Sequence, residues 1–130
     1  MTEFEIFSRE EVTKILLELG IPANLQGFRC LKSCILKVIN RPSLLRKVTR
    51  DLYPKVGEEF SIDGMVVERS MRHSTEIGYN KTGFKALSNL FNADVKWNYK
   101  PTSSELIALI AEYIRFEADK IGINQKPFDA

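Results

Sequence analysis

Apolar residues recur every three to four positions along most of the chain, the spacing that places them on one side of an α-helix. Ser8-Arg9-Glu10-Glu11 has the form of a capping box, so a first helix is expected to start there and run through Val12, Ile15, Leu16 and Leu19 to Gly20. A second, over about residues 26–40, has Phe28, Leu31, Ile35, Val38 and Ile39 as its apolar side, and Pro42 ends it. Ser43 is the expected cap of a third, with Leu44, Leu45, Val48 and Leu52 inward, and Pro54 suits the first turn of a short fourth reaching about Phe60. The turn Ser61-Ile62-Asp63-Gly64 follows, and Asp63 is placed to cap the next helix. Thr82 and Gly83 separate that helix from another, over about residues 84–92, with Phe84, Leu87, Leu90 and Phe91 apolar. VKWNY alternates like a strand but has no partner, so residues 93–100 are expected to form an extended loop. Thr102-Ser103-Ser104-Glu105 is a second capping box and opens a last helix, with Leu106, Ile107, Ile110, Tyr113 and Ile114 inward and Gly122 as its stop. The expected fold is all-α: one domain over residues 1–130, a compact bundle of six or seven helices that includes a helix-turn-helix.

At 130 residues, 44% hydrophobic and 28% charged, the chain can bury a real core. It has no run of about 20 apolar residues of the kind a membrane span needs, and its N-terminus is acidic where a targeting segment would be basic. A cytoplasmic protein is expected. Cys30 and Cys34 are four apart in a helical pattern, and with a single histidine in the chain they lack the further ligands of a zinc site. Free, mostly buried thiols are the expectation, with no metal and no cofactor.

The net charge of +2 conceals a segregation. Between Arg29 and Lys55 eight basic residues stand against one acidic residue, Asp51, while both ends of the chain are acidic. Such a distribution can concentrate a polyanion at one surface. It equally suits solvated helices whose charges are matched by the acidic ends in space.

The stretch VVERSMRHSTE, residues 66–76, carries the most informative spacing. At about 100° per residue, Met65, Arg69, Arg72, His73 and Glu76 share one side of a helix, with Val66 at its margin. Val67, Met71, Ser74 and Gly78 lie opposite, and Ser70 and Ile77 flank them. Small residues at Ser70, Ser74 and Gly78 would let a neighbouring helix approach closely and aim the arginines outward. A guanidinium held that way can donate twice to guanine, to O6 and N7, and Glu68 can accept from cytosine N4. Taken alone the pattern also fits a salt-bridged surface helix. The preceding turn and the basic stretch upstream shift the balance towards DNA.

ELGIPANLQGF (18–28), LYP (52–54), VERSMRH (67–73), SNLF (88–91) and KPTSSELIALIA (100–111) together resemble the DNA-binding effector domain of the sporulation response regulator, stage 0 sporulation protein A. The resemblance covers about residues 12–116. It implies an all-helical transcription-factor domain that binds short G- and C-containing boxes, often as tandem copies. It carries the family's base readers onto Glu68, Arg69 and Arg72, followed by His73 as in the family. His73, Arg46, Lys47, Arg50, Lys55 and Lys100 are then the expected backbone or flanking contacts. The family's surface for the RNA polymerase sigma subunit falls on residues 80–92, with Lys81 and Lys85 outward. Two features depart from the family: Val66 stands where an arginine is common, and only a short acidic lead precedes the first expected helix in place of a receiver domain. A stand-alone paralogue is the expectation, with an effector domain excised from a longer regulator as the alternative.

Two further function classes compete. A protein-interaction regulator that has lost tight DNA binding would act through the polymerase sigma subunit or a full-length paralogue. An enzyme is disfavoured: His73 and Glu76 can be drawn as an acid/base pair, but no nucleophile, Gly-rich loop or metal cluster accompanies them.

Overall fold

The computed structural model describes residues 1–90 and 100–123, among which there is no strand. Six α-helices follow one another: α1 (Glu3–Glu18), α2 (Gln26–Asn40), α3 (Tyr53–Phe60), α4 (Gly64–Thr82), α5 (Ala86–Leu90) and α6 (Ser103–Lys120). α2 is the hub, packed by α4, α6 and α1. Its sequence explains that role, because Leu31, Cys34, Ile35 and Val38 are all 0% exposed and leave little of the helix for water. α6 answers with Leu106, Ile107, Ile110 and Ile114, also fully buried. Each such side chain contributes about 1.5–3 kcal/mol by leaving water. Arg115 adds a cross-tie, donating to the Val38 carbonyl in the last turn of α2 at 3.3 Å, where a cation also suits the helix dipole.

α2 has the expected bounds and α6 the expected start. At α6, Thr102 Oγ1 accepts from the Glu105 N–H at 3.1 Å and the Glu105 carboxylate accepts from the Thr102 N–H at 3.0 Å. The box at Ser8 is different: α1 begins at Glu3, capped by Thr2, whose hydroxyl accepts from the Glu5 N–H at 3.1 Å. Phe4, only 7% exposed, anchors this extra turn in the core and leaves Ser8 in mid-helix with its hydroxyl buried.

The third expected α-helix is not one. Pro42–Lys47 is a 3₁₀ segment entered from Arg41, with the Leu44 N–H on the Arg41 carbonyl at 3.0 Å, and Ser43 lies inside it instead of capping it. Val48–Leu52 then widens into a π turn closed by the Tyr53 N–H on the Val48 carbonyl. Pro54 supplies a reason: it has no N–H to give, and its ring would strike the carbonyl four residues back in a regular helix. Leu44 and Leu52 are buried as expected, Leu45 and Val48 half-buried.

α5 starts later than the pattern implied, at Ala86 instead of about residue 84. Phe84 adopts φ 56° in the turn before it, swings its ring fully into the core and meets Tyr79 edge-on at 5.5 Å. Residues 91 and 92, and the loop expected at 93–99, lie outside the described residues. Among the described residues no helix is long and apolar enough to cross a membrane, and no group of three or more His, Cys, Asp or Glu could hold a metal. Cys30 and Cys34 are free and buried, and burial pushes the Cys34 thiol far above its ordinary value.

Candidate nucleic-acid interface

α4 is positioned first by the turn that precedes it. α3 ends on Ser61 in the left-handed conformation, φ 59° and ψ 44°. The Ile62 N–H then folds back onto the Gly57 carbonyl at 2.9 Å and the Ser61 N–H onto Glu58 at 3.4 Å, closing the helix end. A side chain at residue 57 would put its Cβ 2.3 Å from the Ile62 carbonyl oxygen, so this closure needs glycine there. Asp63 occupies the N-cap of α4, but its carboxylate makes no capping bond; its carbonyl accepts from Val66 and Val67, each at 3.0 Å. Three residues, Ser61 to Asp63, thus join two packed helices, α3 and α4, by the short turn that a helix-turn-helix requires.

Packing then fixes the rotation of α4. Val67 and Met71 are fully buried, and Ser74, Thr75 and Gly78 lie with them against the protein. α2 crosses at the small residues: a Cβ on Gly27 would come within 2.0 Å of Ser74 Oγ and 2.1 Å of the Ser70 carbonyl oxygen. Ser70 Oγ donates to Gln26 Oε1 at 3.1 Å beside this crossing. At the far end, Thr82 Oγ1 donates to the Leu19 and Gly78 carbonyls, both at 3.0 Å, pinning α4 to the α1–α2 loop. The opposite side presents Met65, Arg69, Arg72, His73 and Glu76 to solvent, as their spacing predicts.

The charges on that side are accessible. Arg69 has no ion-pair partner among the described residues. Arg72 meets Glu68 at 3.3 Å, a pair with side chains 59% and 40% exposed. Such i,i+4 pairs are worth about 0.3–0.5 kcal/mol, too little to withhold the guanidinium from a stronger acceptor. Lys100 reaches Glu76 at 3.3 Å and so stands at the same surface. Thr49 and Tyr53 line a cleft with Met65 and Glu68, which brings the segment carrying Arg50 alongside the start of α4. Burial pushes the Tyr53 hydroxyl up to about 12, and the nearby Cys34 and Glu68 add to the rise. Arg50 pairs with Asp51 at 3.5 Å. Arg46 and Lys47 are exposed on the same connecting region and Lys55 on α3, but no ion pair or hydrogen bond joins them to α4.

The basic run does not form one surface. Arg29 lies over the Phe60 ring at 5.7 Å, Lys32 donates to Thr13 at 2.8 Å, and Lys37 pairs with Glu59 at 2.7 Å. At about 100° per residue Arg29 and Lys32 project from the side of α2 away from Gly27 and Cys34, which meet α4, while Lys37 lies on the flank. Lys81 and Lys85 are exposed at the C-terminal end of α4 and just past it, some 13 Å along the axis from Arg72 at about 1.5 Å per residue.

A family model described as "Sporulation initiation factor Spo0A C terminal" matches residues 12–114, most of the chain, including α3, α4 and the turn between them. The chain belongs to that family. The Spo0A C-terminal family is one of DNA-binding effector domains, so the exposed side of α4 belongs to a DNA-binding regulatory domain connected with sporulation. Spacing alone located the outward residues of this Spo0A C-terminal member but passed over Gly27 and Gly57, which set its helix crossing and its turn. Their signal was present: a glycine inside a helical pattern usually has a packing reason.

Proposed function

We propose that the chain is a sequence-specific double-stranded DNA-binding transcription regulator, a single effector domain whose α4 reads a short G- and C-containing box in the major groove. What supports this reading is the fixed rotation of α4, with Gly27 seated against Ser70 and Ser74 and the guanidinium groups of Arg69 and Arg72 on the other side. Each arginine can donate in a fork to guanine O6 and N7, and Glu68 can accept from cytosine N4. The Glu68–Arg72 pair holds both side chains extended along the helix until a base edge replaces one partner with another. His73, Arg46, Lys47, Arg50, Lys55 and Lys100 contact phosphates or flanking groups, steering the domain without reading sequence. Lys81 and Lys85, at the end of α4 away from its entry into the groove, are placed for the RNA polymerase sigma subunit, and two copies sit in tandem on adjacent boxes. The protein works in the cytoplasm, on the nucleoid.

The deciding experiment is selection of bound sequences from a random duplex pool, followed by gel-shift titration of the selected box. Arg72→Ala should weaken binding by about 5- to 150-fold, the equivalent of about 1–3 kcal/mol of base discrimination, while the helical circular dichroism stays unchanged. Equal binding by parent and variant would overturn the assignment. One observation favours a second reading: Val66 stands where the family commonly has arginine, which removes a DNA contact. A protein-interaction regulator acting through the sigma subunit or a full-length paralogue would give weak, sequence-blind DNA binding and a co-purifying protein.

A further inference from the structure

The first turn of α4 presents chemistry unlike the rest of its outer side. Met65 is 78% exposed, more than any other large apolar side chain among the described residues. At about 100° per residue it falls within about 60° of Arg69, Arg72 and Glu76, so it points where the arginines point. The N-terminal residues of a recognition helix are the ones that meet base edges. Behind Met65 lies a cleft walled by Thr49, Tyr53, Pro54 and Glu68, and Asp63 lines it too. Two carboxylates beside an uncharged thioether make this a poor seat for a phosphate, and Met65 has no hydrogen to donate to a base. The one apolar group on a major-groove edge is the 5-methyl of thymine.

We propose that Met65 reads a thymine methyl. This rests on α4 being the major-groove reader and extends it: the box contains an essential thymine as well as guanine and cytosine. Met65 and Arg69 are about 6 Å apart along the axis at about 1.5 Å per residue. With about 3.4 Å per base step, the thymine falls within about one to three base pairs of the guanine that Arg69 contacts. Met65 and Val66 together then replace a charged contact at the entry to the groove by an apolar one.

The test starts from the box selected with the parent protein and replaces each thymine in turn by deoxyuridine, which lacks only the methyl. Titrations use the parent, Met65→Ala and Val66→Ala, all checked for helical circular dichroism. The parent should lose about three- to tenfold in affinity at one thymine, the scale of one buried methyl group. Met65→Ala should bind the thymine and deoxyuridine boxes equally, and Val66→Ala should still discriminate. Met65→Ala that discriminates as well as the parent, coupling that belongs to Val66, or a box with no methyl-sensitive thymine would each overturn the inference while leaving major-groove reading intact. A pool that yields no box at all would overturn that reading as well.

Discussion

Gly27 sets how closely α2 can approach α4, and with it the stance of Arg69 and Arg72. Gly27→Ala places a methyl within 2.1 Å of the Ser70 carbonyl oxygen, a backbone atom that cannot rotate away. Forcing these helices apart should cost about 2–3 kcal/mol, read as a lower urea midpoint, and should weaken DNA binding in the fraction that remains folded. The outward set on α4 was legible in the sequence because phase needs only one helix: Val67 and Met71 go in, so Arg69 and Arg72 go out. The crossing point was not legible, because it depends on which residue of a second helix lands opposite. Glu59 makes a similar point for charge. Burial opposes its ionisation, but hydrogen bonds from Lys37 and Ser33, each at 2.7 Å, outweigh burial and hold the carboxyl below its ordinary value. A folded pKa below the unfolded one, about 4.3, gives stability that is present above that pH and lost as pH falls through the folded value. Glu59→Gln should therefore destabilise at neutral pH and converge with the parent only as pH falls below the lowered folded value, in urea titrations run at a series of pH values.

At the scale of elements, two capping boxes with the same grammar had different fates. Thr102 caps α6 reciprocally with Glu105, whereas Ser8 lies inside α1 with its buried hydroxyl lacking a hydrogen-bond partner among the described residues. A capping motif says that a helix can start, and says nothing about whether the residues before it are already helical; Phe4 in the core decided that for α1. The substitutions should separate accordingly. Thr102→Ala should cost about 1 kcal/mol through the lost cap, while Ser8→Ala should be neutral or stabilising in thermal melts because it removes an unpaired buried hydroxyl. The segment between α2 and α3 was legible as helical but not in kind, since a 3₁₀ and a π turn share most of the apolar spacing of an α-helix and Pro54 acts on the turn before it. The turn into α4 is the least tolerant element. Gly57→Ala sets a Cβ 2.3 Å from the Ile62 carbonyl and should move or unfold the helix-turn-helix, lowering both the melting temperature and affinity for the box.

Over the whole molecule, seven of the eight basic residues that make the middle of the chain stand out fall into two groups separated by α2. Arg29 and Lys32 are held against α3 and α1 on the side of α2 away from α4, with Lys37 on its flank tied to Glu59 of α3, while Arg46, Lys47 and Arg50 lie on the segment that leads into α3 and Lys55 on α3 itself. Composition could not distinguish these groups, because adjacency in sequence is lost once a helix turns its residues through about 100° each. Counterion release can. Each phosphate neutralised by the protein contributes about 0.9 to the slope of log affinity against log salt, whatever the base sequence. Arg46→Gln with Lys47→Gln should lower that slope by roughly 1–2 and weaken cognate and random duplexes alike. Arg29→Gln with Lys32→Gln removes the same formal charge from the other surface and should leave the slope within about 0.3 of the parent's, since only close phosphate contacts release counterions. Fluorescence-anisotropy titrations from about 50 to 200 mM salt would read both. Equal loss of slope in the two pairs would mean that DNA wraps around α2 as well, and the single reading surface on α4 would have to give way to a two-sided interface.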